Sequence, residues 1–235
     1  MPYEVKLPKD ESIQLFPPGN FRLTDQSLFS TSPPDQSEII KEILLAFYSK
    51  DQLKKMTYMD GTSNVGGNVF PIIPLVKKMI AVEIDELTSE ILIHNIKEAQ
   101  PDAKNTIVLN EDLVKFDFEK HKPDILLVDA PWGGKKYREL KDKELYLSGN
   151  KMSKLLMDIW VHYPDVILLK VPTQYPFPKK NKAKMGYFKQ INFKNKSGRT
   201  VYKILVLAKN NPKSKIKTNY TIRAVPYKFF HPVKV

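Results

Sequence analysis

The sequence predicts an α/β fold with a doubly wound, mostly parallel sheet of seven strands that ends in a C-terminal antiparallel hairpin. Apolar runs of strand length alternate with segments whose apolar residues recur at helical spacing, which is typical of a parallel sheet covered by helices on both faces. The last two apolar runs lie close enough together for a hairpin. With 235 residues, 42% of them hydrophobic, the chain has enough apolar side chains for one such domain.

The first segment, residues 1–34, precedes the alternating pattern. Proline pairs at 17–18 and 33–34 interrupt regular structure. We therefore expect an N-terminal arm that covers the functional site. Apolar residues at helical spacing then predict the first helix, with Asp35 and Ser37 as candidate caps.

The remaining elements are assigned to one domain over residues 35–210 and a basic C-terminal extension over residues 211–235. A short helical stretch is expected after the first strand, and a longer helix over residues 86–98. The seven predicted strands comprise residues 56–60, 79–83, 106–109, 125–129, 166–171, 187–193 and 201–208.

Basic residues outnumber acidic ones, with 38 lysines and arginines against 26 aspartates and glutamates and a formal net charge of +12. Such an excess attracts polyanions through release of their counterions, so RNA is the expected partner. A lysine-rich proteome would give the same balance without nucleic acid. Several cations follow predicted strands, at the edge where an α/β sheet binds ligands. These cations are Lys135, Lys136, Arg138, Lys179, Lys180, Lys182 and Lys184.

The chain contains no cysteine, which excludes disulfides, thiolate metal sites and thiol nucleophiles. No run of about 18 apolar residues is present to span a bilayer. Charged residues such as Lys6 and Asp10 stand where a signal peptide would need an apolar stretch. We expect a soluble intracellular protein of the nucleus or cytoplasm. A viral protein that acts in the host cytoplasm is one form that this expectation can take.

The first chemical motif is the segment Asp60–Asn68, Asp-Gly-Thr-Ser-Asn-Val-Gly-Gly-Asn, which follows a predicted strand. Glycines let the backbone approach a ligand closely, and a helix start offers free N–H groups. The segment is therefore expected to hold a cofactor, with a tight turn that binds nothing as the alternative. It matches neither the dinucleotide-binding pattern G-x-G-x-x-G nor the phosphate loop.

Acidic side chains follow the next two predicted strands. Glu83 ends the second strand about 20 residues after the glycine-rich turn, where an acid commonly accepts hydrogen bonds from ribose hydroxyls. Asp85 is the second choice for this role. Asp112 follows the third strand, where it can accept from an adenine amino group, although a helix cap explains an acid there equally well. A nucleoside cofactor is therefore expected.

The most informative motif is the segment 129–134, Asp-Ala-Pro-Trp-Gly-Gly, after the fourth strand. An exocyclic amine of a nucleobase is a poor nucleophile because its lone pair is delocalised into the ring. An enzyme must therefore orient the amine with acceptors and hold the base against an aromatic plane. Asp129 supplies an acceptor, Pro131 stiffens the turn, and Trp132 supplies the plane. A turn with a buried tryptophan is the alternative.

Several segments together resemble the trimethylguanosine synthase family in order and spacing. Those enzymes transfer methyl groups from S-adenosylmethionine to the position-2 amine of a 7-methylguanosine RNA cap, on a Rossmann-like seven-stranded methyltransferase fold. The resemblance covers about residues 28–208, and the Trp-Gly-Gly segment with a tyrosine three residues later is its most specific part. The matching segments are Phe29–Pro33, Asp60–Asn68, Glu83 with Asp85, Asp112-Leu113 and Pro131–Tyr137.

The resemblance implies S-adenosylmethionine as the cofactor and RNA, in particular capped RNA, as the substrate. Trp132 would stack on the methylated guanine, whose positive charge favours an indole face by about 1 to 2 kcal/mol when desolvated. Asp129 and Pro131 complete the expected catalytic set. Cofactor contacts are expected from Ser30, Thr31, Asp60, Gly66, Asn68, Glu83, Asp85 and Asp112. Substrate contacts are expected from Trp132, Gly133, Lys135, Lys136, Tyr137 and Lys170.

Three positions depart from the family pattern. Asp129 stands where the family has serine, and Asn64 replaces a glycine. Residues 172–174, Pro-Thr-Gln, replace a Pro-Arg-Asn segment whose arginine contacts cap phosphates, and either Lys170 or the lysines over 179–184 would have to replace that cation. An aspartate at the first position is more familiar from enzymes that act on adenine or on guanine within ribosomal RNA. Cap recognition is therefore left open by the sequence.

The expected reaction is an in-line displacement in which the amine attacks the sulfonium methyl group, with no metal and no covalent intermediate. Asp129 would orient the amine and then accept its proton. Two alternatives remain at this point. One is an enzyme that methylates guanine N2 in ribosomal RNA or adenine N6. The other is a catalytically inactive relative that binds capped or plain RNA as an accessory subunit.

Overall fold

The computed structural model shows a large central sheet with helices on both faces. It describes residues 3–6, 20–32, 34–133, 137, 139, 141–161, 163–222 and 232–234. The strands are β1 (Tyr3–Lys6), β2 (Asn20–Leu23), β3 (Thr57–Asp60), β4 (Lys78–Glu83), β5 (Thr106–Asn110), β6 (Ile125–Val128), β7 (Tyr146–Leu147), β8 (Asn150–Lys151), β9 (Val166–Pro172), β10 (Tyr187–Lys194), β11 (Thr200–Ala208), β12 (Asn219–Thr221) and β13 (Pro232–Lys234).

The helices follow the strands closely along the chain, as an α/β fold requires. The α-helices are α1 (Asp25–Ser30), α2 (Pro34–Phe47), α3 (Lys50–Leu53), α4 (Glu86–Ala99), α5 (Phe118–His121), α6 (Met152–Trp160) and α7 (Lys179–Lys182). Short 3-10 helices lie at Ile73–Leu75 and Leu113–Lys115. No helix within the described ranges combines the length and the apolar character needed to cross a membrane.

The main sheet has the strand order β12-β10-β11-β9-β6-β3-β4-β5 among the described residues. The five strands from β9 to β5 run parallel to one another. β11 lies antiparallel to both β9 and β10, so β10 and β11 form the hairpin. All seven predicted strands and the mostly parallel, doubly wound sheet are confirmed.

The eighth strand, β12, pairs parallel to β10 at the edge of the sheet and is missing from the sequence prediction. Its three residues show no apolar alternation, because side chains at this edge are largely exposed. Ile216 and Ile222, which flank the strand, are buried in the core. Residues after 210 therefore contribute an edge strand to the sheet, in addition to extending the chain.

Apolar side chains on both faces of the central strands form two cores. Every residue of β6 and β9 is buried, which explains why these strands read as continuous apolar runs in the sequence. One core joins the sheet to α2 and α4, and the other joins it to α6. Adjacent residues of one strand, such as Tyr58 and Met59, point into different cores.

The predicted arm contains regular structure, in contrast to the expectation that its prolines interrupt it. β1 pairs with β2 and with β13, so residues near the two chain ends form a small separate sheet. α1 begins with a capping box, in which Thr24 and Ser27 satisfy each other's backbone N–H groups. Pro34 begins α2, and Pro17, Pro18 and Pro33 lie outside the described residues. Residues 7–19 and 223–231 lie outside the described part of the chain.

Candidate active site

A cleft of about 1560 Å³ opens at the carboxyl ends of the parallel strands. This is the edge at which an open α/β sheet binds its ligands. The glycine-rich turn after β3 and the Asp-Ala-Pro-Trp turn after β6 both line the cleft, and Asn68 and Trp132 are both among its lining residues. The sheet order explains this proximity, since β3 and β6 are direct neighbours. The residues expected to contact the cofactor and those expected to contact the base can therefore line the same cleft.

Asp129 lies at the centre of the cleft, and its two carboxylate oxygens have different surroundings. Oδ2 accepts hydrogen bonds from Lys170 Nζ at 2.7 Å, Ser32 Oγ at 3.2 Å and Asn68 Nδ2 at 3.3 Å. Its backbone N–H donates to Thr62 Oγ1 at 2.8 Å, which fixes the turn itself. Oδ1 has no partner among the described residues. One oxygen is thus held, and the other remains available as an acceptor.

Lys170 makes a different contact from the predicted one. Its ammonium group forms a buried ion pair with Asp129 and donates to Ser32 Oγ at 2.8 Å. It also lies 5.0 Å from the centre of the Tyr202 ring, a favourable place for a cation. Because Nζ is surrounded by these groups, Lys170 contacts the acceptor of the site and is not a free cation for a phosphate. The lysines of α7 are not among the residues that line the cleft.

The glycines of the turn after β3 make room for other parts of the protein. Gly66 has a φ of +106°, and a Cβ there would lie 2.4 Å from the Phe70 ring. A Cβ on Gly67 would lie 2.7 Å from the backbone oxygen of Ser32. Asn64 adopts a φ of +49°, a region that asparagine enters more readily than most residues. Gly66 and Gly67 therefore allow Phe70 and Ser32 to pack against this turn, where the sequence suggested close approach to a ligand.

The short helical stretch expected after this turn is a single 3-10 helix, and it begins several residues later than expected. Turns continue from Asn68 to Ile72, and only the 3-10 helix Ile73–Leu75 follows. Pro71 and Pro74 remove backbone donors that an α-helix would need. The cleft therefore has no helix N-terminus at this point, and its donors come from loop backbone and side chains.

Two predicted cofactor contacts, Asp60 and Gly66, lie behind the cleft wall and do not line it. Asp60 is fully buried, and burial raises its pKa to about 7 despite a hydrogen bond from the Thr62 N–H. Its Oδ2 has no hydrogen-bond partner within the described residues. Asp60 thus shapes the turn through Thr62, whose hydroxyl in turn holds the backbone of Asp129.

Glu83 lies where β4 ends and lines the cleft. Oε2 accepts the N–H of Asn64 at 2.8 Å, and Oε1 accepts the N–H of Asp85 at 3.0 Å. A carboxylate oxygen has two lone pairs, so each oxygen keeps one acceptor position for a ligand. The carboxylate is therefore oriented by the backbone and still able to accept from a pair of hydroxyls.

Asp85 and Asp112 also line the cleft, and each caps a helix. Asp85 Oδ1 accepts from the backbone and hydroxyl of Thr88, and these hydrogen bonds lower its pKa. Asp112 Oδ1 accepts the N–H of Val114 at 3.0 Å. Both explanations that the sequence allowed, a cap and a cleft contact, thus apply to the same side chains.

The arm supplies one wall of the cleft through Ser30, Thr31 and Ser32. Ser30 Oγ accepts from Asn64 Nδ2 at 2.7 Å and donates to the Gln26 carbonyl at 2.9 Å. Thr31 donates its hydroxyl hydrogen back into α1. The arm is therefore joined to the glycine-rich turn by side-chain hydrogen bonds.

The aromatic residues of the Trp-Gly-Gly segment differ in exposure. Trp132 is half-buried, packs 6.2 Å from the Tyr202 ring in a tilted arrangement, and lines the cleft beside Pro131 and Gly133. Tyr137 is buried, and its hydroxyl donates to the Lys143 carbonyl at 2.6 Å.

Burial raises the pKa of Tyr137 to about 12. Its hydroxyl hydrogen bonds to the backbone at Lys143, where the sequence suggested a contact to the substrate ribose. Lys135 and Lys136, which were also expected to contact substrate, lie outside the described residues.

Three of the cleft residues that the sequence analysis did not name differ in the signal that was available for them. Ser32 contacts Asp129 across 97 positions of the chain, and no local pattern indicates such a pairing. Ile84 is 61% exposed between two acids, and an apolar residue at a strand end was a usable signal for a flat ligand. Arg199 lies in the turn between β10 and β11, a strand pair that was predicted as a hairpin without attention to the turn.

Known structures share this fold at low sequence identity. The 16S rRNA N2 G1207 methyltransferase RsmC of T. thermophilus, solved with AdoMet and guanosine, aligns with a TM-score of 0.59 and 15% identity over 89% of this chain and 50% of that chain. The tRNA m1G37 methyltransferase of M. jannaschii aligns with a TM-score of 0.53 and 18% identity over 82% of this chain and 55% of that chain.

The sequence comparisons identify the family. An uncharacterised protein of Acanthamoeba polyphaga mimivirus is 29% identical over 133 residues, which are 55% of this chain and 51% of that protein. The chain thus spans about half the length of this curated relative. The profile of a family described as RNA cap guanine-N2 methyltransferase matches residues 55–176, about half of the chain and most of the cleft-forming segments. The chain belongs to the RNA cap guanine-N2 methyltransferase family.

Proposed function

We propose that the protein transfers a methyl group from S-adenosylmethionine to the N2 amine of guanosine in RNA, with the 7-methylguanosine cap as its substrate. The observation that carries this proposal is the pairing of Asp129 with Trp132 in one cleft. An oriented carboxylate acceptor beside a half-exposed indole is what a delocalised amine on a planar, positively charged base requires.

The donor and acceptor set of the cleft fits S-adenosylmethionine. Glu83 would accept from the ribose hydroxyls, because both of its oxygens retain an acceptor position. Asp112 would accept from the adenine amino group, and the exposed side chain of Ile84 would cover the adenine face. The acids on this side of the cleft also suit a ligand that carries positive charge.

The protein's part in the reaction is to position and orient. S-adenosylmethionine, when bound, supplies a methyl carbon activated by a sulfonium leaving group. Trp132 holds the guanine plane, and Oδ1 of Asp129 accepts one N–H of the amine, which directs the nitrogen lone pair away from the carboxylate. When the nitrogen gains its methyl group, the same oxygen is the nearest acceptor for the departing proton.

Two substitutions separate chemistry from cofactor binding. Asp129→Ala should abolish methyl transfer, because the amine loses its acceptor, while the affinity for S-adenosylhomocysteine changes by no more than a few-fold. Glu83→Ala should weaken that affinity, since the ribose acceptor is lost. Steady-state transfer and calorimetric binding on both variants measure these effects. A reversed pattern would show that the two acids have been assigned the wrong roles.

Mass spectrometry defines the substrate. A 7-methylated cap dinucleotide incubated with enzyme and methyl donor should gain the mass of one CH₂ per transferred methyl group, and Trp132→Ala should reduce this product more than product from uncapped RNA. Internal guanine is the second candidate, because Asp129 stands where the family has serine. Equal methylation of uncapped RNA, with equal loss in Trp132→Ala, would favour that candidate over the cap.

A further inference from the structure

Charge is unevenly distributed along the cleft. On the β4 and β5 side of β3 the charged residues that line it are all acidic, namely Glu83, Asp85, Glu111 and Asp112. Three cations and one acid, Asp129, line the other side, and the cations come from the loop after β6, from β9 and from the turn between β10 and β11. The cations are Lys143, Lys170 and Arg199. An anionic ligand group is therefore favoured at the β10–β11 end.

These three cations have different contacts. Lys170 is occupied by its buried ion pair with Asp129. Lys143 lies 5.9 Å from the centre of the Tyr137 ring. Arg199 is exposed, and its guanidinium has no hydrogen bond or ion pair within the described part of the chain. Arg199 is therefore the cation of the cleft most available to a ligand.

The turn that carries Arg199 is fixed by its own hydrogen bonds. Asn195 Oδ1 accepts from the N–H of Arg199 at 3.0 Å and from Ser197 Oγ at 2.7 Å. Gly198 adopts a φ of +80° and donates its N–H to the Asn195 carbonyl at 2.9 Å. A register shift at Phe193 and Lys194 adds a bulge beside the turn. The backbone is thus held, while the arginine side chain stays uncommitted.

The size of the cleft leaves room for a ligand group at this end. Its volume of about 1560 Å³ exceeds the roughly 300 to 1,000 Å³ of a site for one small molecule. The cofactor contacts proposed above lie on the acidic side. Trp132, Thr200 and Arg199 also line the cleft, and Trp132 packs against Tyr202 of the strand that Thr200 begins. A substituent on a nucleoside held by Trp132 would therefore be close to this end of the cleft.

We propose that Arg199 forms a phosphate-binding subsite at the β10–β11 end of the cleft, which holds phosphate groups attached to the substrate guanosine. This inference rests on the proposed function, because the nucleoside must first occupy the space beside Trp132. Guanidinium groups bind phosphate oxygens through paired N–H donors. Residues 172–174 carry no cation in this chain, and the next hairpin supplies one from a different element.

Binding measurements on two matched variants test the subsite. Arg199→Ala removes the proposed contact, and Lys196→Ala removes an equal charge from the same turn at an exposed position that does not line the cleft. Calorimetry gives Kd values for 7-methylguanosine 5′-triphosphate, for 7-methylguanosine and for a short RNA that carries no 5′ phosphate. We expect Arg199→Ala to weaken triphosphate binding by about 10- to 100-fold and to leave nucleoside binding unchanged.

The outcomes are distinct. Loss confined to the triphosphate identifies the polyphosphate chain of a cap, and loss on the unphosphorylated RNA identifies strand phosphodiesters. For the affected ligand, the slope of log Kd against log salt concentration should also decrease by about 1, which corresponds to one phosphate contact. Equal effects of Arg199→Ala and Lys196→Ala, or equal loss on the nucleoside, would overturn the subsite.

Methyl transfer separates this inference from the proposed function. Cap methylation with an unchanged KM in Arg199→Ala would remove the subsite and keep the function. Selective loss of triphosphate binding in a protein that methylates no guanine would keep the subsite and remove the function.

Discussion

The two carboxylate oxygens of Asp129 have different surroundings. Three donors converge on Oδ2, of which Lys170 is the nearest at 2.7 Å, and Oδ1 has no partner among the described residues. Hydrogen bonds to charged groups are worth about 1.5 to 3 kcal/mol each, so the carboxylate is held in one rotamer. The position of Asp129 at a strand end was readable from the sequence. Its partners Lys170 and Ser32 were not, since they lie 41 and 97 positions away.

Lys170→Met should test whether the ion pair positions the acceptor. We expect kcat to decrease by about 10- to 100-fold, because a hydrogen bond of roughly 1.5 to 3 kcal/mol is lost, with little change in KM for the methyl donor. The stability of the protein gives the coupling: in an Asp129→Ala background, where no transfer remains to be measured, Lys170→Met should cost no further stability, since its ion-pair partner is gone. Steady-state kinetics on Lys170→Met and thermal denaturation of the four proteins measure these two effects. An undiminished loss in the double variant would mean that Lys170 acts without Asp129.

The glycine-rich turn and the arm form one unit because Gly67 allows their backbones to touch. A methyl group at position 67 would meet both the oxygen and the nitrogen of Ser32 within 3.0 Å. Ser32 in turn donates to Asp129. The motif was recognised in the sequence from its glycines, but the partner of those glycines was taken to be a ligand. The distances show that at this position the partner is another part of the chain.

Gly67→Ala should therefore displace the arm. Overpacking of this kind costs about 1 to 3 kcal/mol, so we expect a lower Tm together with a loss of methyl transfer per folded molecule. Gly186→Ala is a matched control, because its added methyl group would meet the Lys209 carbonyl at the opposite edge of the sheet. Differential scanning calorimetry gives the Tm of each variant. Methyl-transfer assays at a temperature where both variants are folded then compare their specific activities. Equal specific activity in the two variants would show that the arm contact is not needed for the reaction.

The whole molecule places an acidic and a cationic region at opposite ends of one cleft. The net charge of +12 gave no hint of this division, because the acids come from β4 and β5 and the cations from the loops and strands beyond β6. The cofactor end depends on carboxylates that loop and strand backbone orient. Occupation of this end should therefore stabilise the entire fold by linkage.

S-adenosylhomocysteine at about 100 times its Kd should stabilise the protein by about 2.7 kcal/mol, which corresponds to a rise in Tm of roughly 5 to 10 °C for a chain of this size. Glu83→Ala should remove most of this shift at the same ligand concentration. Glu90→Ala, on the exposed face of α4, should keep it. Thermal denaturation with and without ligand provides the measurement, and a flat response of the unsubstituted protein would favour an inactive RNA-binding relative.

The order of strands and helices was determined by local sequence, because apolar periodicity directly reflects burial on one or both faces. The sequence also predicted where β3, β4, β5 and β6 end. These ends gave Asp129, Glu83 and Asp112 as candidate residues of the functional site. β12 was not predicted, since a strand of three residues is too short to show periodicity. The helical stretch after the glycine-rich turn is shorter than expected, because Pro71 and Pro74 lack the backbone donors of a helix although the residues around them are apolar.

Only the tertiary structure decided which candidates share the cleft and what each one contacts. Asp60 and Gly66 do not line the cleft, whereas Arg199 of the β10–β11 turn does. Lys170 forms an ion pair with Asp129. The physical reason is that these contacts form between residues far apart in the chain. Their distances depend on strand order and loop packing, which no local pattern encodes.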